Sequence, residues 1–136
     1  MILVDSSAWI EYYKKGGDEI IKEQCINAIQ SDLVAINGIV QVEILGFESK
    51  EKVFETVRSD FSAYHFLDLT INVFQQSYIL GKELRQIGIN IPATDLIIAG
   101  CALFYDVSLL HLDKHFSLIA KHYPLESITG NETRME

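Results

Sequence analysis

Four carboxylates in this chain interrupt apolar surroundings: Asp5, Glu43, Asp95 and Asp113. Asp5 ends the run Ile2-Leu3-Val4, and Asp113 lies just beyond a second apolar run at 107–110. Glu43 sits among Val40, Val42, Ile44 and Leu45, and Asp95 opens the most apolar segment of the chain. A charge enclosed in this way must be solvated in a cleft, paired or bound to metal. Four carboxylates gathered without a cation repel and raise one another's pKa values. Hard divalent cations such as Mg2+ or Mn2+ remove that conflict, because they prefer carboxylate and water oxygens. One or two such ions activate a water and stabilise the charge that builds on a phosphodiester.

Each acid also has a plainer reading. Asp5 can cap a helix, Asp113 can serve a turn, and Asp95 suits the positive end of a helix. Glu43 can lie on a solvent stripe. The balance shifts only if the fold brings these positions together.

The elements that must do so are legible as alternating strands and helices. Residues 2–4 read as a strand covered on both faces. Ser6 or Ser7 can cap a helix from Ala8 to about Lys14, ended by Gly16-Gly17. A helix from Asp18 carries Ile21, Cys25, Ala28 and Ile29 on one stripe. Residues 33–36 read as a strand. The segment 39–47 has β-branched content, yet a helix capped by Asn37 suits the alternation better. Residues 50–61 form an amphipathic helix with Val53, Phe54, Val57 and Phe61 on one face. A third strand is expected at 66–69. Thr70 then opens a long helix with Ile71, Phe74, Tyr78, Gly81, Leu84 and Ile87 on its apolar stripe, ended by Gly88. Thr94 can cap the helix beginning at Asp95, which is apolar all round and therefore central. A strand at 107–110, a short helix at 116–121 and an edge strand at 125–128 complete the chain. This order predicts an α/β fold: a three-layer α/β/α domain over residues 1–129, with a mostly parallel sheet and right-handed crossovers. Residues 130–136 read as a polar tail. If the first and fourth strands are neighbours, Asp5 and Asp113 share one crevice at their carboxyl ends.

Composition bounds the function classes. The 136 residues are 49% hydrophobic and carry a net charge of −8. That excludes disorder and argues against broad non-specific binding of nucleic acid, which needs a basic surface. It leaves room for a nuclease whose metal ions reverse the local field. No apolar run reaches the ~18 residues of a bilayer span. The N-terminus lacks the basic region of a signal peptide. Cys25 and Cys101 are too few and too far apart for a disulfide scaffold or zinc site, and read as small hydrophobes. The expected compartment is the cytoplasm.

The same residues resemble the PIN-domain family, in particular the VapC-type toxins of bacterial and archaeal toxin–antitoxin pairs. Ile2-Leu3-Val4-Asp5-Ser6-Ser7-Ala8-Trp9-Ile10 is similar to the family opening. Val42-Glu43-Ile44-Leu45-Gly46 resembles its helix segment with Glu followed by Gly, and Asp95-Leu96-Ile97-Ile98-Ala99 its D-x-x-I-A helix start. Leu109-Leu110-His111-Leu112-Asp113-Lys114-His115-Phe116 resembles its closing L-[TH]-x-D-x-[DH]-F pattern. The resemblance spans nearly the whole chain in order. It implies a parallel sheet of about five strands, with an acidic quartet that binds Mg2+ or Mn2+ and hydrolyses RNA. Carried over, Asp5, Glu43, Asp95 and Asp113 are the metal-site and catalytic residues. Ser6, Ser7 and Thr94 are supporting groups that orient carboxylates or water. His115 stands at a position acidic in many relatives. The resemblance further implies a VapB-like antitoxin partner in an apolar groove near Tyr12 and residues 47–54, and a homodimer.

Two rivals remain. A PIN-like module could bind RNA or protein without cleaving. A receiver-like signalling domain is also small, acidic and α/β, but Asp5 has no acidic neighbour, Asp68 is flanked by Leu67 and Leu69, and no lysine fits. A dinucleotide fold lacks its G-x-G-x-x-G. His111 and His115 flank Asp113 and can touch substrate or cap the adjoining elements. Trp9, Tyr12 and Tyr13 can stack on RNA bases or pack in a core. Lys14-Lys15 and Lys50/Lys52 can steer RNA or simply solvate helix faces.

Overall fold

A computed structural model describes residues 1–130. The elements run β1 (Ile2–Val4), α1 (Ser6–Tyr13), α2 (Glu19–Gln30), β2 (Val34–Ile36), α3 (Gly38–Leu45), α4 (Glu51–Ser62), β3 (His65–Phe66), α5 (Ile71–Gln86), α6 (Ala93–Tyr105), β4 (Ser108–Leu110), α7 (Lys114–Ala120) and β5 (Ser127–Ile128). The strands form one sheet in the order β3-β2-β1-β4-β5, with every ladder parallel. Consecutive strand residues point to opposite faces. Leu3 and Val4 are both fully buried, as are Ala35 and Ile36. Helices therefore cover both faces of the sheet.

From β1 the chain builds outward to β2 on one side and to β4 on the other. The carboxyl ends of β1 and β4 thus form the switch point where α/β sheets bind ligands. The Asp5 N–H donates to Leu110 O at 2.9 Å, tying the two ends together. This order also differs from the 2-1-3-4-5 order of receiver domains.

The ambiguous segment is helical: α3 is capped by Asn37, whose Oδ1 accepts the Val40 N–H at 3.0 Å. Several details depart from expectation. Ser6 and Ser7 do not cap α1 but lie inside it, and the cap is Asp5, the plainer reading of that acid. Thr94 does not cap α6. Pro92 holds the cap position and no side chain caps the helix, so Thr94 falls in its exposed first turn. Proline's fixed φ is already suited to a helix start. Strand β3 ends at Phe66, because β2 ends at Ile36 and the Leu67 N–H makes the last bond to Ile36 O. Helix α7 begins at Lys114, since Asp113 caps it.

Helix α5 buries Leu84 as expected, but the rest of its buried stripe differs from the one expected. Val73, Ser77, Leu80 and Leu84 are buried, while Ile71, Phe74, Tyr78 and Ile87 are exposed. The small residues decide this. A Cβ at Gly100 of α6 would fall on the Ser77 Oγ, so the two backbones approach closely along the Ser77 face. Trp9 is fully buried and stacks on Tyr64, with ring centroids 5.5 Å apart at 10°. It is a core residue, unavailable to a base. Cys25 and Cys101 are free and buried. Among the described residues no helix is long and apolar enough to cross a membrane. The expected polar tail lies, from position 131, outside the described residues.

Candidate metal centre

Asp5 uses one oxygen to hold the local structure. Its Oδ2 accepts the Ser7 N–H at 3.0 Å and the Ser7 hydroxyl. Ser7 Oγ in turn accepts the Leu112 N–H at 3.0 Å, linking the loop after β1 to the loop after β4. The other oxygen, Oδ1, is buried without a hydrogen-bond partner, and the residue as a whole is 3% exposed. Helix capping therefore accounts for only half of this carboxylate.

Glu43 reaches the same region from α3. The Ser6 hydroxyl donates to its Oε1 at 3.1 Å. Asp95 stands in the first turn of α6 and Asp113 caps α7, accepting the His115 N–H through Oδ1 at 2.8 Å. The His115 ring joins them. Its Nδ1 lies 2.8 Å from Asp95 Oδ2 and 3.3 Å from Asp113 Oδ1. One ligand atom from each of these three residues falls within 4.8 Å of the others. Asp5 and Glu43 stand outside that tight group but within its field. Glu43 and Asp95 both act on Asp5, and Asp95 and Asp113 both act on Glu43.

The electrostatics express the crowding. Burial, reinforced by Glu43 and Asp95, pushes the Asp5 carboxyl up to about 6, against the pull of its Ser7 hydrogen bonds. Burial likewise raises Glu43, with Asp95 and Asp113 adding to it. Asp95 is raised by burial and by Asp113, while His115 opposes the shift. Among the described residues no lysine or arginine pairs with any of the four acids.

These residues fit a divalent cation. The donors are carboxylate oxygens with one imidazole nitrogen, the oxygens repel one another, and a buried acceptor lacks a donor. A cation meets each of those conditions. Thr94 is exposed beside Asp95, and its hydroxyl serves no cap.

One supporting pair was not visible in sequence. His111 is buried, and its Nδ1 accepts the Asp113 N–H at 3.1 Å while Nε2 meets Ser127 Oγ. Burial holds its pKa down at about 4, so the ring is neutral near pH 7. A histidine two residues before an acid is a visible signal. Its partner on the edge strand is not, because that depends on how β5 pairs with β4.

Beside the acids lies an apolar groove of about 250 Å3. Ile10, Tyr13, Glu43, Ile44, Phe47 and Val53 are among the residues that line it. Phe47 is 84% exposed. A second apolar surface combines Phe74 and Tyr78 of α5 with Leu96 and Ile97 of α6.

Known structures share this architecture. DNA-bound VapBC from Salmonella typhimurium superposes with a TM-score of 0.78 at 19% identity, covering 95% of this chain and 97% of that one. FitAcB from Neisseria gonorrhoeae gives 0.78 at 16%, covering 96% and 98%. VapBC2 from Rickettsia felis, bound to a promoter DNA fragment, gives 0.76 at 20%, covering 95% and 98%. At these identities the likeness is one of fold. No curated protein matches the chain in sequence. The PIN domain family model, however, matches residues 2–122, and the chain belongs to the PIN domain family.

Proposed function

We propose that the chain is a Mg2+- or Mn2+-dependent endoribonuclease, the toxin of a type II toxin–antitoxin pair. The observation that carries this reading is the buried, unpartnered Oδ1 of Asp5 at the sheet's switch point, within the field of Glu43 and Asp95. Asp5, Glu43, Asp95 and Asp113 hold the cation. When bound, it supplies Lewis acidity, which eases deprotonation of water and neutralises charge on the phosphodiester.

The side chains do the rest. Ser7 fixes Asp5, and Ser6 fixes Glu43 through Oε1. Glu43 Oε2 is then left to take a proton from the attacking water, a task suited to its raised pKa. His115 steadies Asp95 and Asp113. Thr94, exposed beside Asp95, supports water at the mouth of the pocket. The net charge of −8 disfavours a polyanion at long range, and the bound cation inverts the sign where the phosphate must sit.

The apolar groove beside Glu43 suits an antitoxin segment, in keeping with the VapBC complexes that share the fold. The exposed stripe on α5 and α6 suits a second copy of the chain. The proposed setting is the cytoplasm.

The test is cleavage of total RNA by the purified protein, with and without Mg2+ or Mn2+, beside Asp5→Asn. Metal-dependent cleavage abolished by the substitution supports the reading. Equal activity in both proteins contradicts it. Metal binding without cleavage favours a PIN module that binds RNA or protein only.

A further inference from the structure

Resting on that metal-centre reading, we propose that His115 is itself a ligand of the cation. The centre then mixes nitrogen with carboxylate oxygen and favours a first-row transition-metal dication over Mg2+.

Three observations point this way. The first is distance. His115 Nδ1 is 2.8 Å from Asp95 Oδ2 and 3.3 Å from Asp113 Oδ1. Neighbouring ligands of an octahedral ion with bonds of about 2.1 Å lie about 3 Å apart. His115 Nδ1 thus stands at ligand-to-ligand spacing from both carboxylates, and one ligand atom from each of the three residues lies within 4.8 Å of the others.

The second is direction. The His115 backbone N–H is bound to Asp113 Oδ1 at 2.8 Å, which fixes the residue at the start of α7. The ring then turns Nδ1, rather than Nε2, toward both carboxylates. With its proton on Nε2, the ring presents a lone pair there.

The third is an acceptor that no group of the protein satisfies. Asp5 Oδ1 is buried and lacks a donor, and Asp95 acts on that carboxylate. No lysine or arginine among the described residues pairs with these acids. His115 touches two carboxylates yet leaves that oxygen without a partner.

The donor chemistry then sets selectivity. Mg2+ favours an all-oxygen shell, whereas imidazole binds later first-row dications more readily. An acid in place of His115 restores the all-oxygen set and shifts preference toward Mg2+.

The experiment uses Mn2+ as the probe. The wild-type protein and His115→Asp are loaded with Mn2+ and measured by pulsed electron paramagnetic resonance, then titrated with Mg2+ as competitor. The wild type is expected to show modulation from a directly bound nitrogen, and His115→Asp is expected to lose it while still binding metal. The Mn2+-over-Mg2+ preference should fall in His115→Asp, because the imidazole nitrogen is exchanged for a carboxylate oxygen. Tight Mn2+ binding without nitrogen modulation in the wild type overturns the ligand role and leaves the acidic centre standing. Nitrogen modulation persisting in His115→Asp also overturns it. Failure of the wild type to bind Mn2+ at all overturns both readings.

Discussion

The Ser7 hydroxyl accepts the Leu112 N–H at 3.0 Å across 105 positions of sequence while donating to Asp5. One small side chain thus fastens the loop after β1 to the loop after β4. The separation of Asp5 from the Asp113 loop is set there rather than by the sheet alone.

Replacing Ser7 with alanine leaves the Leu112 N–H without its acceptor in a half-buried place, while Asp5 Oδ2 keeps only the backbone N–H of residue 7. The expected loss is about 1–3 kcal/mol, the scale of an unsatisfied buried polar group. Urea denaturation measures it. Cleavage should fall as well, because Asp5 loses the hydroxyl that orients it. An unchanged denaturation midpoint would show that the bridge contributes nothing to stability.

Asp5 makes metal-free stability depend on pH in a defined sense. Its carboxyl is raised from 3.8 to about 6 in the fold, so the folded state binds the proton more tightly than the unfolded chain. Its stabilising contribution is present below about pH 4 and is lost as pH rises to about 6. A shift of this size corresponds to roughly 3 kcal/mol. Asparagine keeps the cap without the charge. Metal-free Asp5→Asn should therefore match the wild type near pH 4 and exceed it above pH 6, by up to that amount. Denaturant titrations at the two pH values make the comparison, and a constant difference between them contradicts it.

Gly100 lets α6 lie against α5. A Cβ there would fall on the Ser77 Oγ and press on the Ser77 backbone, with Cα only 3.1 Å away. Gly100→Ala should destabilise by about 1–3 kcal/mol from overpacking, despite its better helix propensity. Thermal or urea denaturation reads the loss. Adding Ser77→Ala should recover only part of it, since the backbone of α5 still stands in the way. Full recovery would mean that only the hydroxyl clashes.

Phe74 and Tyr78 leave an apolar stripe in solvent, with Tyr78 at 63% exposure. A second copy covering it accounts for a large exposed patch. The wild type should sediment as a dimer and Phe74→Asp/Tyr78→Asp as a monomer of unchanged circular dichroism. A monomeric wild type removes this role for the stripe.

Much of this architecture was legible before the structure. Ile2-Leu3-Val4 had to be a strand buried on both faces, and the alternation of elements required parallel crossovers. Those two facts put Asp5 and Asp113 at strand ends, and the β1–β4 pairing makes those ends neighbours. Asn37 was readable as a cap, and it settled α3 as the helix that carries Glu43. What escaped depended on competition between local options. Asp5, Ser6 and Ser7 can all cap α1, and only tertiary contacts released the serines to Glu43 and Leu112. Thr94 lost the cap to Pro92. Helix α5 has two apolar stripes, and the close approach at Gly100 and Ser77 chose between them. His115 as the group joining Asp95 to Asp113 depends on a side-chain direction that spacing does not convey.

Whether acids distant along the chain share one cation is read from anomalous diffraction of crystals grown with Mn2+. A manganese peak is expected among the carboxylates of Asp5, Glu43, Asp95 and Asp113, and it should vanish in Asp113→Asn. Saturating Mn2+ that leaves those carboxylates bare, or a peak on a different set of acids, would contradict a shared cation.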